Sequence, residues 1–336
     1  MGMALGTLAF AGAASWLAVA RHKSLAPYFA PSTRIPPPTV LDELRLPMVG
    51  DWGSGTRPQS RVLMGMERVA ARIGGYHGGW LLGDNFYFKG VQSTDDPKWD
   101  AYFEEQFDKP HLALLDWYAV LGNHDYMGNA EAQIAYSGDA PDGRDTQWRM
   151  PNHFYRKDYR GGGVAQHTML TVLALDTNHE WYEQGDNAAR MLAWLDAQLA
   201  ELVGVSHRVV VVGHHPLVTY SKSPPEPFMV DEVMPRLIAF KPAAYICGHN
   251  HCMEHIEHEG LTCIVVGCGG KTLYDIGEGP GLKFAKKAHG FGLLRMKLGA
   301  FSFEFRDARG DVVHRIDSRA LPSSGKQHAR KRELLW

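Results

Sequence analysis

The sequence predicts an α/β protein in which two β-sheets pack together, and three observations lead there. Up to about residue 260 the 336-residue chain repeats a rhythm of strand, loop and helix. Apolar runs of strand length alternate there with stripes of helical period. Beyond that point strands follow one another without long helices, which implies a partly antiparallel sheet packed on the first. Throughout, short polar clusters stand directly after apolar runs, and in open α/β sheets ligands gather at the carboxyl ends of strands.

The elements follow in chain order. Residues 3–20 form an uncharged, small-residue-rich segment ending in Ala18-Val19-Ala20, which reads as a signal peptide cleaved near Ala20. Its length also suits a membrane anchor, and Arg21 and Lys23 behind it would then leave the following domain on the cytoplasmic side. Residues 21–46, with Pro36-Pro37-Pro38, read as an extended linker into a domain covering 47–320. A helix over 58–73 places Val62, Met66, Val69, Ala70 and Ile73 on one stripe, with Pro58 in its first turn. Residues 98–109 carry Trp99, Tyr102, Phe103 and Phe107, and residues 187–203 carry Met191, Leu192, Leu195, Leu199 and Leu202, both as buried helix faces. Strands at 81–82, 118–121, 169–175, 208–212 and 244–247 separate these helices. The later strands are expected at 262–266, 290–298, 301–305 and 312–316. The terminal residues 321–336, with Arg330, Lys331 and Arg332, read as a solvated basic tail.

Composition narrows the class of function. A formal net charge of -2 supplies no general field for a polyanion, so no nucleic-acid partner is expected. Membrane contact is confined to residues 3–20. The four cysteines, Cys247, Cys252, Cys263 and Cys268, do not form the dense pattern of a small secreted scaffold, and a core of this size needs no bridge. Cys247, behind an apolar strand, reads as a buried thiol. No N-x-Ser/Thr sequon occurs, so glycosylation lends secretion no support.

The polar clusters carry the chemistry. They are V-G-D-W-G with Asp51, L-L-G-D-N-F-Y-F with Asp84 and Tyr87, V-L-G-N-H-D with Asn123 and His124, V-V-V-G-H-H-P with His214 and His215, and Y-I-C-G-H-N-H with His249 and His251. Taken singly, each would be a turn with a hydrogen-bonded side chain. Together they supply ligands for two metal ions. Asp51, Asp84 and Tyr87 offer hard anionic oxygens, and a tyrosine with a reference pKa near 10 loses its proton readily only beside a strong Lewis acid. That points to ferric iron. His214, the neutral oxygen of Asn123 and one of His249 and His251 make a less anionic site suited to a divalent ion, with Asp84 as the natural bridge. His124, directly after Asn123, is placed to hand a proton to a departing oxygen, and Asp125 either orients it or caps the turn. In the run from His251 to Glu259, Glu254, His255, Glu257 and His258 alternate as on a strand or hairpin whose polar face is wet.

In these blocks the sequence resembles the calcineurin-like binuclear metallophosphatases, most closely the small purple acid phosphatases of the tartrate-resistant type. The resemblance covers about residues 47–305 and extends to N-F-Y-F-K-G-V-Q-S, A-Q-I-A-Y-S and W-L-D-A-Q-L-A. The tyrosine of G-D-N-F-Y separates the purple subgroup from its relatives. The resemblance implies a pair of mixed β-sheets flanked by α-helices. It puts Asp51, Asp84, Tyr87 and His251 on Fe(III), and Asp84, Asn123, His214 and His249 on a divalent iron, zinc or manganese ion. It implies an acid phosphatase that hydrolyses phosphate monoesters, small or protein-borne, by direct attack of a metal-activated hydroxide. A phosphodiesterase or phosphoprotein phosphatase could use the same ions, and a binding module could keep the fold without turnover.

The chain also departs from the pattern. Where members of the subgroup often carry a further active-site histidine, this chain has Ser223, which leaves His215 as a second candidate on the leaving-group side. Residues 137–150 fall in the region of the family's lid loop, and their glycines and charges suggest a solvent-exposed flap. The segment at 1–20 implies a secreted or luminal location, or a membrane-anchored one.

Overall fold

The computed structural model describes residues 34–39, 43–138, 145–161, 167–178, 187–297 and 300–317. The expected signal or anchor at 1–20 and the basic tail at 321–336 lie outside these residues. Among the described residues, no helix is long and apolar enough to cross a membrane.

Two seven-stranded sheets form the centre. The first contains β1 (Glu43–Val49), β2 (Gly79–Leu82), β3 (Trp117–Val120) and β4 (Trp148–Arg149), continued beyond β1 by β12 (Gly290–Lys297), β13 (Ala300–Asp307) and β14 (Val312–Asp317). β1 to β4 run parallel, whereas β12 joins β1 antiparallel, with Leu46 opposite Leu294. The second sheet contains β5 (Tyr155–Gly161), β6 (His167–Ala174), β7 (Arg208–Val212) and β8 (Ala244–Cys247). Its remaining strands are β9 (Met253–His258), β10 (Leu261–Val266) and β11 (Leu282–Lys286). There β6, β7, β8 and β10 are parallel, and β5, β9 and β11 are antiparallel to their neighbours. Both sheets are therefore mixed.

Strand periodicity explains why the apolar runs are continuous. Trp80 and Leu82 of β2 meet Val210 and Val212 of β7 and Ala244 and Ile246 of β8 in the core between the sheets. Their alternating neighbours, Leu81 on one sheet and Val209, Val211, Tyr245 and Cys247 on the other, face outward under helices. A strand buried on both faces must be apolar at every position.

Helix α1 (Arg57–Ile73) covers the first sheet with Val62, Met66, Val69 and Ala70, and ends at Gly74 in the left-handed conformation. A π-helical turn, Trp99–Glu104, runs into α2 (Glu105–Phe107) and buries Trp99, Phe103 and Phe107 beside it. Between β3 and β4 lie two short helices, α3 (Asn123–Tyr126) and α4 (Ala130–Ala135). On the second sheet, α5 (Asn187–Glu201) buries Met191, Leu195 and Leu199, and a second π turn, Met229–Val233, leads into α6 (Met234–Phe240).

Two expectations need correction. The segment 137–150 is not a wholly exposed flap: among its described residues Ser137, Thr146, Trp148 and Met150 are buried, and Trp148 and Arg149 form edge strand β4. A tryptophan and a methionine gain more from the core than a loop gains from water. The polar residues of β9 are only partly wet: Glu257 and His258 are half-exposed, but the two before them are not. Glu254 is fully buried, satisfied by the Thr219 hydroxyl at 2.6 Å and the Tyr220 N–H at 2.8 Å, and His255 is buried too. All four cysteines are buried free thiols.

Candidate metal centre

Parallel order brings the polar clusters together. β1, β2 and β3 of one sheet and β6, β7 and β8 of the other end on the same rim, because the sheets meet where Gly50 and Gly248 follow β1 and β8. A Cβ on Gly50 would stand 2.8 Å from the Gly248 Cα, so the approach needs glycine on this side. At the rim Asp51, Asp84 and His249 all hold positive φ, at 56°, 52° and 67°. Three non-glycine residues in that region mark backbone turned to serve side-chain direction.

The side chains fall into two adjoining groups. In the first, the Tyr87 hydroxyl oxygen lies 2.6 Å from Asp84 Oδ2, 2.9 Å from Asp51 Oδ1 and 3.1 Å from His251 Nε2. In the second, His214 Nε2 lies 3.2 Å from Asn123 Oδ1 and 3.3 Å from His249 Nδ1, and His249 Nδ1 lies 3.1 Å from Asn123 Oδ1. Asp84 belongs to both, since its Oδ1 is 3.4 Å from His214 Nε2. The structure thus assembles all seven residues singled out as ligands.

Supporting contacts fix which atoms face inward. The Nδ1 positions of His214 and His251 bond the carbonyls of Leu82 at 2.8 Å and Thr272 at 2.7 Å, leaving each Nε2 for the cluster. His249 uses Nδ1, and its backbone N–H donates to Asp51 Oδ2 at 2.8 Å. Burial, then the neighbouring His214, pushes the His249 imidazole down to about 3, so it keeps a free lone pair through the acid range.

The donor set fits a pair of cations. Asp51 and Asp84 are buried, and among the described residues their only ion-pair partners are His251 and His214. One phenolic proton can serve only one of the two carboxylate oxygens flanking the Tyr87 hydroxyl. Burial, reinforced by Asp51 and Asp84, raises the Tyr87 pKa well above its ordinary value. Buried charge of one sign calls for the opposite charge, and a cation among these oxygens would reverse the tyrosine's bias toward the neutral form. Asp51, Asp84 and His214, and separately His214, His215 and His249, bring ligand atoms within 4.8 Å of one another.

The proposed proton handlers differ in setting. His124 Nδ1 donates to the Phe88 carbonyl at 2.7 Å, which leaves Nε2, and its backbone N–H donates to Asp84 Oδ1 at 3.0 Å. Asp125 caps the turn and does not hold the His124 ring. Its carboxylate accepts from the N–H groups of Gly122, Asn85 and Phe86 and from Gln133 Nε2. His215 is only 5% exposed, bonded through Nδ1 to Thr177 Oγ1 at 2.9 Å, with its ring 4.5 Å from that of His249. Ser223 puts a hydroxyl in place of an imidazole, and Asn250 clamps its backbone N–H and carbonyl at 3.0 and 2.8 Å. Thr177, Asn250 and the rim residues Lys271 and Tyr274 escaped the sequence reading. The G-C-G-G-K run, whose glycines press residues 269 and 270 onto Gly50 and Trp52, is a signal that could have pointed to Lys271.

Comparison with known proteins agrees with the geometry. The calcineurin-like phosphoesterase family model matches residues 49–253. The tartrate-resistant acid phosphatase type 5 of Oryctolagus cuniculus is 33% identical over 244 residues, covering 67% of this chain and 73% of the relative. Purple acid phosphatase 7 of Arabidopsis thaliana is 29% identical over 290 residues, covering 80% and 84%. Among solved structures, GAP50, described as the anchor in the inner membrane complex of Plasmodium, superposes with a TM-score of 0.73 at 21% identity, covering 83% of this chain and 90% of that one, a likeness of fold alone. The chain belongs to the calcineurin-like phosphoesterases and, within them, to the purple acid phosphatases that include the tartrate-resistant type.

Proposed function

We propose that the protein is a binuclear-metal acid phosphatase acting on phosphate monoesters. The observation that carries this reading is the Asp84 carboxylate, which turns Oδ2 to the Tyr87 hydroxyl at 2.6 Å and Oδ1 to His214 at 3.4 Å, so that one side chain serves two ligand groups. Asp51, Asp84, Tyr87 and His251 would hold Fe(III), and Asp84, Asn123, His214 and His249 a divalent iron, zinc or manganese ion. When bound, the two ions clamp the ester, neutralise its oxygens and lower the pKa of water.

The chain's own groups do the rest. The Leu82 and Thr272 carbonyls hold two imidazoles in the tautomer that faces the centre. The Phe88 carbonyl holds His124 with Nε2 free to protonate the departing oxygen. No side chain need become phosphorylated. Release of phosphate from small aryl or alkyl monoesters by metal-loaded protein between about pH 4 and 8 tests the reading, and complete failure across that series would sink it. Diesters and phosphopeptides at matched metal loading define the organic group that is accepted.

For residues 1–20 we propose delivery into a secretory or luminal compartment. Sequencing the amino terminus of the native protein tests it: a new start near residue 21 supports cleavage, and an intact start on cytosolic protein rejects it.

A further inference from the structure

Lys271 is a cation at the mouth of the centre, where Lys222 also lies over an aromatic ring, 4.8 Å from the centroid of Tyr274. Its backbone is fixed from two sides. The Lys271 N–H donates to the Asp51 carbonyl at 3.2 Å, and the carbonyl of Gly270 accepts from Ser54 Oγ and Thr56 Oγ1, each at 3.1 Å. Asp51 and the turn after it therefore hold the backbone at Lys271.

The side chain runs over aromatic rings. Nζ lies 3.3 Å from the centroid of Phe88 and 4.5 Å from that of Tyr87. Among the described residues it has no carboxylate or carbonyl partner, whereas Lys287 is tied to Asp275 at 2.6 Å. A ring quadrupole attracts an ammonium but takes none of its three directional donors. Phe88 is 65% exposed, so the ammonium stands at the opening. The Tyr87 ring beneath it also touches His124, with centroids 4.6 Å apart. Lys271 and the proposed proton donor thus border one entrance.

We propose that Lys271 is a substrate-binding residue whose ammonium donates to a phosphoryl oxygen of the bound ester and of product orthophosphate. Lysine acts on phosphate as a point charge on a flexible stem, and one already partly dehydrated over rings can exchange a weak partner for a charged oxygen. Against the negative charge of Asp51 and Asp84, such a cation would favour entry of a phosphate dianion. The inference rests on the phosphatase reading of the centre.

Orthophosphate binding to the metal-loaded full chain, measured by calorimetry, requires no turnover and so separates the two. Lys271→Met should weaken orthophosphate about tenfold and raise KM for an aryl monoester similarly, with kcat within about threefold, while Lys271→Arg keeps most of the affinity. Unchanged affinity in a Lys271→Met protein with wild-type metal content overturns the assignment. Wild-type protein that binds orthophosphate with this dependence on Lys271, yet hydrolyses no monoester, supports the lysine's role and sinks the phosphatase reading instead. In wild-type protein, saturating orthophosphate should also slow acetylation of Lys271 by about threefold or more, read by mass spectrometry, and leave exposed Lys297 unaffected. Equal acetylation of Lys271 with and without orthophosphate overturns the proposal without recourse to any variant.

Discussion

Tyr87 joins sequence to spectroscopy. Its hydroxyl sits between two buried carboxylates, where the protein alone favours the neutral phenol and a ferric ion would favour tyrosinate. A ferric tyrosinate absorbs visible light, so oxidised, metal-loaded protein should be purple or pink. Tyr87→Phe should abolish the band while iron stays bound. A colourless wild type with verified ferric occupancy would refute the assignment. For His124, loss of the imidazole in His124→Ala should slow esters with poor leaving groups by about 10²-fold or more and activated aryl esters much less, with both ions retained. Equal losses across a leaving-group series would remove it from that role. Such residues were readable from sequence because each follows a strand at a glycine turn, where spacing and residue type suffice. Lys271, Thr177 and Asn250 were not, because their meaning comes from rings and loops distant in sequence.

The same contrast recurs among strands and helices. The doubly buried strands and the long amphipathic helices α1 and α5 matched their apolar patterns. Missing from the sequence reading were the start of β1, whose residues 43–46 it gave to the linker, together with β4, β5, β11 and the helices α3, α4 and α6. β5 and β11 are edge strands, Y-R-K-D-Y-R-G with more charged than apolar residues and L-K-F-A-K with a lysine at two of its five positions, so period-two burial is faint. One tie between elements depends on pH. His153 bridges Glu131 of α4 at 2.7 Å and Asp176, just beyond β6, at 3.0 Å. Burial works against its charge, but the hydrogen bonds and charges of Asp176 and Glu131 outweigh it and raise the imidazole to about 9. The raised pKa means that the stabilisation is complete below the unfolded value near 6.5 and fades as pH climbs through about 9. His153→Gln should cost roughly 1–3 kcal/mol at pH 6, after discounting for exposed Glu131, and little at pH 10. Thermal melts at both pH values check this, and a pH-independent loss would contradict it.

Over the whole chain, ligands drawn from both sheets make ion binding a tie across the core. An ion that binds only the folded chain adds about 2.7 kcal/mol at a free concentration one hundred times its dissociation constant. Chelation should therefore lower the melting temperature by several degrees, and readdition of metal should restore it. An unchanged melt with verified metal loss would contradict a centre spanning the two sheets. The parallel strands also give the molecule a direction. Chemistry collects after β1, β2, β3, β7 and β8, whereas the turn that precedes β7 lies at the opposite end, and a Cβ on its Gly204 would meet nothing within 4 Å. Lineages can lengthen that turn, or an engineer can graft a reporter into it, without disturbing the catalytic rim. The fold has one end under chemical constraint and another open to variation.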